Sequence, residues 1–191
     1  MKLIFASGNK HKLSELQAKV KGRFSIISMR EAGFKGEIEE PGQSLEENAK
    51  IKAEFIHSLF HENCFADDSG LEIDALNGEP GVYSARYAGE SCSFAENNEK
   101  VLKNLEGIEN RRARFRTVIH LIYKNEHHEF IGEVEGKITK TNRGFDGFGY
   151  DPIFIPKGYT KTFAEMTLEE KNQISHRAKA VQQLSDFLMA R

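Results

Sequence analysis

Ala66-Asp67-Asp68-Ser69-Gly70-Leu71 places two adjacent carboxylates directly after a short apolar run, Cys64-Phe65-Ala66. That run reads as the end of a buried strand, and the Ser69-Gly70 pair favours a turn. Neighbouring residues on an extended chain point to opposite sides, so at most one of Asp67 and Asp68 faces a given cleft. The other caps a turn or meets a cation. A carboxylate where a buried strand ends costs several kcal/mol unless it is paired or coordinated. Two readings stand: an Asx-turn leaving a strand, or an aspartate that holds a metal or activates water.

The second reading requires cationic groups elsewhere, and three segments supply them. Leu3-Ile4-Phe5-Ala6 reads as a first buried strand, broken by Ser7-Gly8-Asn9, with a helix from about Lys10 carrying Leu13, Leu16 and Val20 on one face. Strand, small polar turn and helix aim free backbone N–H groups at an anion. Lys10 and Lys12 stand in that first turn, where the helix dipole disfavours cations. A bound phosphate reverses the penalty. The second segment is a helix opened by Ser44 with Glu47 three residues on, the spacing of a capping box. Its apolar stripe is Leu45, Ala49, Ala53, Ile56 and Phe60, and Lys52 falls inside it, with Asn48 one turn earlier. A lysine there either snorkels or pairs with a buried anion. In the third segment Ser175 caps a final helix carrying Ala178, Val181, Leu184 and Leu188, and His176 and Arg177 occupy its first turn, with Lys171 upstream.

Between these, Glu37, Glu39 and Glu40 form an acidic loop before Pro41-Gly42, either a solvated face or a source of oxygen ligands for a divalent cation. Phe24 to Ile27 reads as a short strand, and Leu71 to Leu76 as a half-buried strand ending at Asn77-Gly78. Ser93 with Glu96 opens a helix carrying Phe94, Val101, Leu102 and Leu105. Arg111, Arg112, Arg114 and Arg116 lead into a strand from Thr117 to Tyr123, and Lys124-Asn125-Glu126 turns into Phe130-Ile131, with Val134 and Ile138 continuing. This antiparallel section predicts a mixed sheet in an α/β fold. In Arg143 to Pro156, Gly144, Gly147 and Gly149 prevent a helix, while Phe145, Phe148, Tyr150 and Phe154 offer flat surfaces for core packing or for stacking a base.

At 191 residues the chain fits one domain, residues 1–191, in one or two lobes. Its 27 basic and 29 acidic residues give a net charge of -2, so no general field draws it to nucleic acid or membrane. Cys64 and Cys92 lack metal spacing and are too few for a disulfide framework. No apolar run reaches membrane-spanning length, and the N-terminal strand is too short for a signal segment, so a cytoplasmic location is expected.

Five motifs together carry a resemblance: SGNKHK at 7–12, ENAKIKA at 47–53, ADDSGLEIDALNGEPGVYSARYAG at 66–89, GFGYDPIF at 147–154 and EKNQISHRAKA at 170–180. In this order they resemble the inosine/xanthosine triphosphate pyrophosphatase family, bacterial type. The resemblance implies an elongated α/β protein with two lobes around a nucleotide cleft, forming homodimers. It implies Mg²⁺-dependent hydrolysis of ITP, dITP and XTP to the monophosphate and pyrophosphate, which removes damaged purine nucleotides. It places a triphosphate loop on Ser7, Gly8, Asn9, Lys10, His11 and Lys12, a phosphate-facing lysine on Lys52 and the catalytic carboxylate on Asp68. A second metal carboxylate falls on Glu40 (Glu39 by a one-residue shift) and a substrate contact on Ser69. Base recognition falls on Phe148, Gly149, Tyr150 and Asp151, completed by Lys171, His176 and Arg177.

Overall fold

The computed structural model of the chain describes residues 2–8, 12–13 and 24–191. Lys12 and Leu13 are helical, as the strand–turn–helix reading expects. Asn9, Lys10 and His11, with Leu16 and Val20, lie outside the described residues.

Six strands among the described residues form one mixed sheet: β1 (Lys2–Phe5), β2 (Ser25–Ser28), β3 (Cys64–Ile73), β4 (Arg112–Tyr123), β5 (Glu126–Ile138) and β6 (Phe154–Pro156), in the order β2-β1-β3-β4-β5-β6. β1 pairs in parallel with β2 and with β3, and β5 pairs antiparallel with β6. Four α-helices are described: α1 (Leu45–Phe60), α2 (Phe94–Asn104), α3 (Leu168–Ile174) and α4 (His176–Met189). The mixed α/β sheet is the one the sequence predicts. No described helix is long and apolar enough to cross a membrane.

The chain divides into two compact units. One comprises Met1–Asp68, Thr117–Ile131 and Lys179–Arg191, the other Ser69–Arg116 and Gly132–Ala178. In the first, Leu3, Phe5, Phe65, Ile119 and Leu121 pack against Val181, Leu184 and Leu188. Phe5 and Phe65, register partners on neighbouring parallel strands, stack with ring centres 4.8 Å apart. In the second unit, Leu71, Ile73, Val101, Leu105, Phe115, Phe154 and Phe163 share a core. Lys124 and Asn125, with φ of 52° and 65°, make the two-residue turn between β4 and β5, the left-handed pair that matches strand twist in a hairpin.

Several local expectations are corrected. The Asp67-Asp68 pair does not end a strand, because β3 runs unbroken from Cys64 through Ser69-Gly70 to Ile73, followed by a 3₁₀ turn at Asp74–Leu76. Gly70 serves close approach rather than turning, since a Cβ there would run into the carbonyl oxygen of Gly81. The Ser44 hydroxyl accepts from the Glu47 N–H at 3.1 Å, but the Glu47 carboxylate takes the Gln43 N–H at 2.7 Å, one residue before the box geometry. Ser93 and Glu96 do form the full capping box of α2, whose buried residues are Asn97, Asn98 and Val101, while Phe94 is exposed. Helix α3 was not expected, although Thr167 and Glu170 form a capping box at its start.

His120, buried on β4, sets Nε2 2.9 Å from Nδ1 of His127. Burial foremost, then repulsion from His127, pushes its pKa down to about 4; Glu54 opposes this, and Lys50 and His128 add to it. An ordinary histidine protonates near 6.5, so as pH falls through that value toward 4 the unfolded chain takes up a proton that native His120 refuses. Stability therefore falls over that window. Urea unfolding of wild type from pH 7 to pH 4 is expected to show this decline, and His120→Leu to show a shallower one. Equal slopes would remove His120 as a source of acid sensitivity.

Candidate functional site

β1 ends at Phe5, whose register partner on β3 is Phe65. β3 continues past that point, so Asp67 and Asp68 emerge beside the carboxyl end of β1, the position where parallel α/β sheets hold ligands. The Ser7-Gly8 turn leaves the same strand end, with the Ser7 N–H on the Phe5 carbonyl at 2.8 Å.

The two aspartates part as strand alternation requires. Asp67, 5% exposed, takes the Lys12 ammonium at 2.7 Å. Asp68 meets α1 instead: the Asn48 amide donates to its Oδ2 at 3.3 Å, and Lys52 Nζ stands 3.8 Å from its Oδ1. Lys52 is buried and donates to Glu40 Oε2 at 2.8 Å. It pairs with anions rather than snorkelling. From the acidic loop it is Glu40 that reaches this lysine, while Glu37 and Glu39 are exposed. Asn48 ties the arrangement together, because its Oδ1 also accepts the Gly42 N–H at 2.8 Å. A Cβ on Gly42 would collide with the same Asn48, which accounts for the glycine.

Burial, above all, raises the Asp68 pKa; Lys52 lowers it, the carboxylates of Glu40 and Asp67 raise it, and the Asn48 bond lowers it. Glu40 and Asp68 thus both meet the Lys52 ammonium, Asp68 at a largely buried position and Glu40 at a half-exposed one. Among the described residues no group of three or more His, Cys, Asp or Glu side chains is arranged to hold a metal. Two carboxylates suffice for a cation of the Mg²⁺ type, which keeps waters and takes its remaining ligands from substrate phosphates. The donor set therefore fits a hard divalent ion.

Ser69 belongs to the second unit and is half-buried. That unit also gathers Phe148, Gly149, Tyr150, Asp151, Lys171, His176 and Arg177. Asp151 is buried, and its Oδ2 accepts the Phe148 N–H at 2.9 Å and the Lys171 ammonium at 2.5 Å. Lys171 Nζ lies 4.6 Å from the Phe148 ring centre and the Arg177 guanidinium 5.6 Å from it, both within cation–π range. Phe148 keeps 45% of its surface exposed. Tyr150 turns inward, its hydroxyl donating to the Ser84 carbonyl at 2.9 Å, and burial foremost pushes its pKa up. His176 is also buried, stacked on Phe115 at 4.7 Å with 8° between the planes. One neighbour that the sequence did not single out is Asn98, which donates to the Gly149 carbonyl at 3.1 Å. Its only signal was an Asn97-Asn98 pair within an amphipathic helix.

Carboxylates within β3 beside the carboxyl end of the parallel strand β1, paired with lysines from helical segments, define a class: an α/β protein with a buried charged centre. More particularly, the chain belongs to the Ham1 family, whose model matches residues 3–187. It is 50% identical over 190 residues to a dITP/XTP pyrophosphatase of Flavobacterium johnsoniae, covering 100% of this chain and 99% of that one. It is 51% identical over 189 residues to one of Porphyromonas gingivalis, covering 98% and 97%. Two solved structures are similar: the Staphylococcus aureus Ham1 protein (TM-score 0.94, 41% identity, 100% and 99% covered) and a HAM1 protein from Coxiella burnetii (0.95, 40%, 100% and 100%).

Removing the Asn48 amide exposes how far it holds the centre. Asn48→Ala leaves the Gly42 N–H without its acceptor, a loss of about 1–3 kcal/mol. Asn48→Asp keeps that acceptor but sets a third carboxylate against Asp68 and Glu40, so in urea unfolding at pH 7 it should be the less stable of the two. An Asn48→Asp protein as stable as wild type would contradict the assigned orientation of the amide.

Proposed function

We propose that this chain is a nucleoside triphosphate pyrophosphatase that hydrolyses non-standard purine nucleotides, XTP, ITP and dITP, to the nucleoside monophosphate and pyrophosphate. The activity keeps damaged purines out of DNA and RNA. The observation that carries it is the shared lysine: Lys52 holds Glu40 at 2.8 Å and Asp68 at 3.8 Å. The printed names of its relatives, dITP/XTP pyrophosphatase, support it.

In this reading Glu40 and Asp68 would hold Mg²⁺, which would supply charge neutralisation on the phosphates. Asp68 orients the attacking water and accepts its proton. Water attacks the α-phosphorus, the anhydride bond to the β-phosphate breaks, and pyrophosphate leaves. Lys12 and Lys52, with the Ser7–Lys12 turn, stabilise the charge on the departing group, the largest contribution in phosphoryl transfer.

The residues of the second unit serve the base. Phe148 offers a ring face for stacking, and Lys171, Arg177 and the loop amides are donors. A 6-oxo purine accepts a hydrogen bond where adenine's 6-amino group donates, and a site built on such a bond discriminates by about 10⁴. Ser69 is a further substrate contact of the second unit, and His176, stacked on Phe115, supports the start of α4. The homodimer and the cytoplasmic location are proposed from the sequence resemblance and from the two free thiols.

Incubation with Mg²⁺ and ITP, XTP, dITP, GTP or ATP, with pyrophosphate and orthophosphate assayed separately, tests this. Pyrophosphate from the first three, and little from GTP or ATP, is expected; orthophosphate as the product, or equal turnover of ATP, would overturn it. Asp68→Asn should abolish turnover while still binding nucleotide. Activity within about tenfold of wild type, roughly 1.4 kcal/mol in barrier, would remove Asp68 from the mechanism. Lys52→Met should lose affinity for the triphosphate far more than for the monophosphate, and equal losses would show that Lys52 does not touch the phosphate tail.

A further inference from the structure

We propose that Asn98, with Phe94 one helical turn before it on α2, is a positioning residue that fixes the base-recognition loop and so sets how tightly the base is held. The inference rests on the activity proposed above and deepens it. Glycine leaves the loop's shape to be set by its contacts: Gly144, Gly147 and Gly149 have φ of 84°, 83° and 62°, and glycine backbone has little preference of its own. Hydrogen bonds specify it, among them Tyr150 to the Ser84 carbonyl, the Asp146 N–H to the Ala164 carbonyl and the Asp151 N–H to the Phe148 carbonyl. Asp151 also takes the Phe148 N–H, and Asn98 donates to the Gly149 carbonyl at 3.1 Å across 51 residues of sequence.

The helix that carries Asn98 is well anchored. The Ser93–Glu96 capping box closes its start, and next to Asn98 the Asn97 Oδ1 accepts the Ala88 N–H at 2.7 Å while its amide donates to the Ala85 carbonyl at 3.2 Å. Asn98 itself is 3% exposed, and its Oδ1 is buried without a hydrogen-bond partner. A buried acceptor left unsatisfied is costly, so an apolar residue of similar size would hold the core equally well. The asparagine is thus poorly explained by packing and well explained by its bond to Gly149. On the same helix face the Phe94 ring lies 6.4 Å from that of Phe148, tilted by 48°, and both rings are substantially exposed. Together Phe94 and Asn98 hold the aromatic face from α2, as Asp151 holds it from within the loop and Lys171 from α3.

The test compares wild type, Asn98→Leu and Phe94→Ala in steady-state hydrolysis of ITP, with inhibition by inorganic tripolyphosphate as the probe of the phosphate tail. Asn98→Leu should raise KM for ITP about tenfold with kcat changed less than about threefold, the pattern of lost uniform binding. Tripolyphosphate inhibition and Tm should stay near wild type. Phe94→Ala, at an exposed position, should raise KM in the same sense. An unchanged KM in Asn98→Leu overturns the proposal. If Asn98→Leu does not fold, an unchanged KM in Phe94→Ala overturns it. Equal weakening of ITP and tripolyphosphate also contradicts it, because the defect would then be general. Wild type that releases no pyrophosphate from ITP would defeat the underlying activity instead, a result separable from the others.

Discussion

A buried ammonium shared by two carboxylates is the constraint on which the first unit depends. Lys52 sits on the apolar face of α1, where a lone cation would be costly, and Glu40 and Asp68 make the position tolerable. Removing one member of such a group leaves an uncompensated buried charge. The helix, the acidic loop and β3 are therefore tied at one place, and Asn48 adds a neutral bond to both the loop and the aspartate. The same arrangement sets two carboxylates, Glu40 and Asp68, at one place beside α1, an oxygen-rich donor set of the kind a hard cation takes.

The second unit solves a different problem, that of giving a glycine-rich loop one shape. Its polar groups are largely spent on that task. Asp151 is occupied by Lys171 and by the Phe148 N–H, Tyr150 by Ser84, and His176 lies flat on Phe115. Phe148 is left with an exposed ring and two cations near it. These bonds also support the exposed ring face of Phe148.

Much of this was legible in the sequence, for identifiable reasons. Strand alternation alone separates Asp67 from Asp68, and the structure sends one to Lys12 and the other to Asn48 and Lys52. Helical spacing alone places Lys52 among apolar residues. What was not legible depended on distant chain. Ser69-Gly70 looks like a turn because the local preference is strong, yet the backbone at Gly81 needs a glycine opposite it within an extended strand. Phe94 fits an apolar stripe but faces outward, while Asn97 and Asn98 turn inward to satisfy carbonyl and amide groups of other loops. Hydrogen bonds of this kind leave no periodic trace.

The most direct test of the central claim is the binding of Mn²⁺, a hard oxygen-seeking stand-in for Mg²⁺, followed by electron paramagnetic resonance with a non-hydrolysable ITP analogue present. Glu40→Gln and Asp68→Asn should each weaken Mn²⁺ binding, and Glu39→Gln should leave it unchanged. Undiminished binding in Asp68→Asn, or a loss in Glu39→Gln as large as in Glu40→Gln, would contradict the account.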